Sequence, residues 1–263
     1  MLIPFTKMQA QGNDFVVLEL PEQTKADPNA HLLARSICDR RFGVGADGLV
    51  LLLDSAKTSA RMVIFNQDGS RAEMCGSALR CCAWLLYTHT GQTSFRITTD
   101  SGVRTARIMG HPDGRCVEVN LGTPSLLEKD LEISGLRGSL VDVGNLHFVR
   151  FWDDLSSEPH LLYGPRIERE AGLERGVNSE HVKVLSRGEI DILVWENGCG
   201  ATFACGTGAV ASVFVGIGRN LLDPGVKVNM PGGSVSIKRS DNGEFLLAGT
   251  VESVFKGSYR WKT

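Results

Sequence analysis

The sequence predicts an α+β protein made of two similar halves. Three observations carry that expectation: many short β-like runs, few helical segments, and landmarks that recur in the same order in both halves. The β-like runs are FVVLEL (15–20), LVLLL (49–53), RMVIF (61–65), RCVEVNL (115–121) and FVRFW (148–152), separated by clusters of Gly, Asp and Asn. Three segments read as helices: 29–42, after the start signal Asp27-Pro28, then Gly76 to Leu86, and Gly206 to Gly218. The regular strand–helix alternation of a wholly parallel sheet is missing.

The repeat is explicit at the level of residues. Gly12-Asn13-Asp14-Phe15 pairs with Gly144-Asn145-Leu146-His147-Phe148, and the two asparagines lie 132 positions apart. FGVGADG (42–48) pairs loosely with RGVNSEH (175–181). AEMCGSALR (72–80) pairs with TFACGTGAV (202–210), with Cys75 and Cys205 separated by 130 positions. Two similar folds facing each other are expected, with domains over 1–117 and 118–263. LGTPSLLEKD reads as the connection, and the last ten or so residues could return to the first domain.

Length and composition narrow the function. A chain of 263 residues can bury a substantial core, and 42% hydrophobic with 22% charged residues belongs to an ordinary globular protein rather than a disordered one. A net charge of −2 gives no broad basic field for nucleic acid or an anionic membrane, so the expected partner is a small molecule. The start MLIPFTKMQAQGNDF lacks the pattern of a signal peptide, and no run reaches membrane-spanning length, which together predict a cytoplasmic location. Seven cysteines, an odd number in apolar surroundings, fit reduced thiols better than a disulfide framework.

Each Cys-Gly pair follows a β-like run and opens a helix. Cys75 and Cys205 are therefore expected at helix N-termini, where unpaired N–H groups and the helix dipole stabilise a thiolate. Gly76 and Gly206 remove a side chain where a ligand would approach and leave backbone N–H groups for a carboxylate. One such cysteine would ordinarily be a buried structural residue. Two in equivalent positions instead suit a base and an acid on opposite faces of one carbon, exchanging roles with the direction of reaction.

Other motifs read as structural. Gly43-Val44-Gly45-Ala46-Asp47-Gly48 is a literal G-x-G-x-x-G, but it precedes a β-like run instead of following one, so the dinucleotide-binding context fails. Cys75/Cys81 and Cys199/Cys205 are spaced more widely than the usual structural zinc pairs. Cys38, Cys81, Cys82 and Cys116 read as core. No nucleophile-elbow G-x-S-x-G is present. His147 and Glu196 stand beside the repeat landmarks.

Taken in order, KMQAQGNDF (7–15), DRRFGVGADG (39–48), FNQDGSRAEMCG (65–76), GNLH (144–147), GVN (176–178), ENGCGATFACGTGA (196–209) and MPGGSVSI (230–237) resemble the diaminopimelate epimerase family over nearly the whole chain. The resemblance implies two domains, each a β-barrel-like sheet wrapped around a central helix, with the site in the cleft between them. It also implies catalysis without pyridoxal phosphate, any other cofactor or a metal, and it admits a homodimer. Carried over by position, the catalytic pair is Cys75 and Cys205. Asn13, Asn66, Asn145 and Asn178 are implied as side-chain contacts to substrate, and Gly76, Gly206 and Thr207 as backbone donors to its carboxylate. His147 and Glu196 lie beside the reacting carbon.

The implied reaction inverts LL-diaminopimelate to the meso form used in lysine and cell-wall synthesis. Several positions depart from the family pattern. Asn197 stands where an arginine usually meets the distal carboxylate, Ser77-Ala78 replace Asn-Gly, and Leu146 and Ala201 replace the usual Pro and Glu. A neutral amide does not reproduce a bidentate Arg–carboxylate contact. Asn197 therefore keeps open a racemase for an amino acid without a distal carboxylate, such as histidine, lysine or another diamino acid. A non-catalytic amino-acid binder or a thiol redox protein is the alternative from a different class.

Overall fold

The structure, a computed structural model, describes residues 2–21, 29–110, 115–173 and 176–261. It is an α+β fold with a mixed sheet. The chain divides into two compact units, Met1–Val119 with Gly249–Thr263, and Asn120–Ala248. The first boundary thus lies two residues past the expected 117, and the segment that returns to the first unit is Gly249–Thr263.

In the first unit the order along the chain is β1 (Leu2–Ala10), β2 (Asn13–Leu20), α1 (Ala30–Ile37), β3 (Gly48–Leu53), β4 (Ala60–Asn66), β5 (Arg71–Ala72), α2 (Gly76–Thr90), β6 (Ser94–Thr99), β7 (Gly102–Met109) and β8 (Cys116–Asn120). The second unit runs β9 (Ser125–Ile133), β10 (Leu136–Asp142), β11 (Leu146–Phe151), α3 (Pro159–Glu170), β12 (Asn178–Ser186), β13 (Glu189–Glu196), β14 (Gly200–Thr202), α4 (Gly206–Gly218), β15 (Gly225–Met230), β16 (Gly233–Arg239) and β17 (Phe245–Thr250). A last strand, β18 (Glu252–Arg260), returns to the first unit and pairs antiparallel with β1 from Leu2↔Arg260 to Gln9↔Glu252.

The two pairing orders are the same. In the first unit neighbouring strands run β18-β1-β2-β3-β4-β6-β7-β8, and in the second β9-β10-β11-β12-β13-β15-β16-β17. Parallel pairs also fall at matching places: β2–β3 and β4–β6 in one, β11–β12 and β13–β15 in the other. A parallel pair needs a crossover, and α1, α2, α3 and α4 lie in those four connections. The match also explains the returning strand. Each sheet needs an outer strand before its first hairpin; β9 supplies it in the second unit and β18 in the first.

Alternation along the strands assigns the two faces of each sheet. In β3 all six residues are buried, as a strand covered on both sides must be. Leu49, Leu51 and Leu53 join a core with Val16, Leu18, Leu33, Ile37 and Trp261, which is the α1 side. The opposite side faces α2, which packs against β1, β2, β4 and β7. In the second unit Ile167 of α3 packs with Leu140, Leu146, Phe148 and Val177, while α4 meets β10, β11, β12 and β16. The helices α2 and α4 are buried over most of their circumference, which is why their sequences lack a polar face.

The β-like runs all fall in strands, and the 206–218 helix is α4. Four local expectations are corrected. The 29–42 helix ends at Ile37, and its start signal Asp27-Pro28 lies outside the described residues. The second helix continues four residues past Leu86. LGTPSLLEKD is a connection only as far as Pro124, because Ser125 opens β9. Helix α3 is polar on average and has Pro165 inside it, so it is not among the expected helices; Pro159 at its first turn is the signal that marks it.

Candidate active site

The sequence motifs resolve into two kinds of structure. Asp14 of the GNDF segment and Asp47 of the GADG segment clamp the start of β2 to the loop before β3. Asp14 accepts from Arg40 Nη2 at 2.8 Å and Lys7 Nζ at 2.6 Å, while the Asp47 backbone N–H donates to Asp14 Oδ1 at 3.0 Å. Arg40 Nη2 also reaches Asp47 Oδ1 at 2.6 Å, and Lys7 Nζ donates to the Gly45 carbonyl. Burial pushes the Asp14 carboxyl up, but Arg40 and Lys7 outweigh it and hold its pKa down at about 2. The glycine-rich loop is thus part of an ion-pair clasp.

The cysteines behave differently. Cys75 is the N-cap of α2, with φ −144° and ψ 122°, and Cys205 is the N-cap of α4, with φ −131° and ψ 113°. Each residue therefore stands where the first helical N–H groups have no intrahelical partner. Cys205 Sγ accepts from the Gly208 N–H at 3.4 Å and lies 3.5 Å from Thr207 Oγ1. Cys205 is buried and Cys75 half-buried. Burial pushes the Cys205 thiol well above the ordinary cysteine range, and the carboxyl groups of Glu196 and Glu180 push in the same direction.

Of the remaining second-unit positions, Glu196 and His147 lie close to Cys205. Glu196 ends β13 and accepts from Thr202 Oγ1 at 2.5 Å; burial raises its pKa, against hydrogen bonds from Thr202 and Cys205 that lower it. His147 of β11 is fully buried and bridges two groups, with Nδ1 2.7 Å from Glu180 Oε1 and Nε2 2.9 Å from Asn145 Oδ1. Asn178, the first residue of β12, donates to the Leu146 carbonyl at 2.8 Å and accepts from the Asn197 N–H at 3.0 Å. Asn197 is exposed, and its amide sits where a Cβ on Gly176 would be, about 2.4 Å from that position. Gly206 and Thr207 form the first turn of α4.

The first-unit positions are Asn13 at the start of β2, Asn66 at the end of β4, and Gly76 and Ser77 in the first turn of α2. Asn66 Nδ2 donates to Ser70 Oγ at 2.9 Å. Behind Ser77 lies a fully buried guanidinium, Arg80, which donates to Gln11 Oε1 at 2.5 Å and approaches Ser77 Oγ at 3.5 Å. Burial lowers the Arg80 pKa, and the thiols of Cys81, Cys75 and Cys116 counter that effect. Cys38, Cys81 and Cys82 are core, as expected, whereas Cys116 is only half-buried and Cys199 is exposed.

Sequence reading missed Glu180. It is fully buried on β12, and its Oε1 lies 2.5 Å from where a Cβ on Gly208 would stand. Gly208 is the residue that admits it, since any side chain there would collide with the carboxyl group. Two signals were available: a polar run, Asn178 to His181, entering a strand, and a second glycine at the opening of an otherwise regular helix.

A duplicated α+β fold with a cysteine capping the matching helix in each half defines the class of cofactor-independent amino-acid epimerases and racemases. The chain matches the family profile described as Diaminopimelate epimerase over residues 5–127 and 139–254, and it belongs to the diaminopimelate epimerase family. It is 39% identical to the diaminopimelate epimerase of Carboxydothermus hydrogenoformans and 39% identical to that of Desulforudis audaxviator, each match covering 97% of this chain and 98% of the relative. Among solved structures it shares its fold with a hydroxyproline epimerase from Agrobacterium vitis (TM-score 0.76, 14% identity, 98% of this chain and 92% of that one). It likewise shares it with a PhzF-family protein from Bacillus anthracis (TM-score 0.74, 14% identity, 98% and 99%). The family assignment makes the chain an isomerase. No described helix is long and apolar enough to cross a membrane.

Proposed function

We propose that the protein inverts LL-diaminopimelate to its meso form by two-base proton transfer, with Cys75 and Cys205 as the two bases. The observation that carries this reading is the matched pair of cysteine N-caps, one in each unit, with nearly the same backbone angles. One cysteine, as thiolate, takes the α-proton; the other, as thiol, delivers a proton to the opposite face, so the substrate gains and loses one proton and the enzyme ends with the roles exchanged. Charge developing on the α-carboxylate is met by the N–H groups at the starts of α2 and α4, contributed by Gly76, Gly206 and Thr207. Asn13, Asn66, Asn145 and Asn178, with Ser77, His147 and Glu196, hold the substrate. This mechanism requires both thiols to reach one carbon.

Asn197 supports a second reading, a substrate without a distal carboxylate, because its exposed neutral amide stands where the family resemblance places an arginine. Proton NMR in D2O distinguishes the two. Loss of the α-proton signal of diaminopimelate, absent in Cys75→Ala and in Cys205→Ala, is expected. Exchange confined to histidine, lysine or ornithine would move the assignment to that substrate, and no exchange with any amino acid in folded protein would end the epimerase reading.

A further inference from the structure

We propose that His147, Glu180 and Cys205 form a three-ligand site for a zinc-class divalent ion, which blocks the acid/base thiol of the second unit when bound. One ligand atom from each of the three residues lies within 4.8 Å of the others, and all three side chains are buried. Metal–ligand bonds of about 2.0–2.3 Å put tetrahedral donors roughly 3.5 Å apart, so small side-chain rotations close the set around an ion. The donors are a sulfur, an imidazole nitrogen and a carboxylate oxygen. That mixture suits zinc or cobalt and disfavours magnesium and calcium, which prefer oxygen alone.

Two further observations point to a cation. Glu180 Oε2 is buried with no hydrogen-bond partner among the described residues, an orphan acceptor beside Cys205. A thiolate and a carboxylate also balance the two positive charges of the ion among three buried side chains. Binding replaces the thiol proton: the S–H bond breaks, the metal–sulfur bond forms, and the proton leaves to solvent. Three protein ligands leave a fourth position for water, as in open zinc sites. The ion acts as an inhibitor and takes no part in turnover; that consequence, though not the binding itself, rests on the catalytic role proposed for Cys205.

The test is a titration of the reduced full-length protein with Co2+ alone in metal-free buffer. Expected are a thiolate-to-cobalt charge-transfer band and visible tetrahedral bands saturating at one equivalent. They should be unchanged in Cys75→Ser, abolished in Cys205→Ser, and weakened at least tenfold in both Glu180→Gln and His147→Gln variants whose circular dichroism matches the wild type. Zn2+ should displace the cobalt and stop α-proton exchange, with recovery on chelation. Undiminished bands in Cys205→Ser, wild-type affinity in folded Glu180→Gln or His147→Gln, or no bands in folded wild-type protein would overturn the site. If cobalt binds as described but no amino acid exchanges its α-proton, the epimerase reading fails and the metal site stands.

Discussion

The two units carry the same strand order and place a cysteine at the same helix end, yet the ground behind each cysteine is chemically opposite. Behind Cys205 stand the carboxyl groups of Glu196 and Glu180, with His147 between Glu180 and Asn145. Behind Cys75 lies the buried guanidinium of Arg80. Matching ladder rungs make the contrast residue by residue: Phe15 pairs with Gly48 where His147 pairs with Asn178, and Val17 pairs with Val50 where Val149 pairs with Glu180. Three residues past the cysteine, the first unit has a buried Ala78 and the second has Gly208, which makes room for Glu180. One backbone plan therefore sets one thiol among carboxyl groups and the other near a buried guanidinium.

The largest effect tests the shared plan itself. Deleting residues 252–263 removes β18 and Trp261, exposes the whole edge of β1 and opens the α1-side core. The first unit is expected to lose cooperative folding while the second, complete without them, keeps its thermal transition. A single native-like transition in the truncated protein would break the correspondence of β18 with β9.

Next is the contrast between the thiols. At pH 7.5 iodoacetamide should modify Cys75 at least a hundredfold faster than Cys205, read by peptide mass spectrometry, because Cys205 stays protonated and buried. Glu196→Gln should narrow the gap: removing a neighbouring negative charge lowers the Cys205 pKa and raises its thiolate fraction at a given pH. Equal rates in the wild type would remove the proposed asymmetry.

Smaller, and specific to packing, is the glycine difference. Gly208→Ala places a methyl group against Glu180 and should destabilise the protein by about 1–3 kcal/mol in urea unfolding. At the matching site Ala78→Gly should cost only about 1 kcal/mol, from helix propensity and a small void.

The pH response of the clasp gives an effect of similar size but confined to acid. Asp14 has its folded pKa lowered to about 2 from a reference of 3.8, so its contribution is fully present above the unfolded value and is lost as pH falls toward 2. That contribution is on the order of 2 kcal/mol. Asp14→Asn should therefore lower the urea midpoint at pH 7 and leave it nearly unchanged at pH 2; an equal loss at both would show that Asp14 acts through packing alone.

The sequence by itself determined the duplication, the strand-rich character, the helix α4 and the two capping cysteines. These are local signals: alternation of apolar residues, a glycine beside a cysteine, and repeated motifs at a fixed offset, all properties of neighbours along the chain. Tertiary structure decided what depends on distant partners. It gave the last strand to the first unit, where β18 covers the edge of β1 that β2 leaves open. It turned Asp14 and Asp47 from candidate motif residues into an ion-pair clasp with Lys7 and Arg40. It also revealed Glu180, whose buried carboxyl group has meaning only once β12 lies against α4 and Gly208 makes room for it. Burial is a sum over residues far apart in sequence, so no reading of one segment contains it.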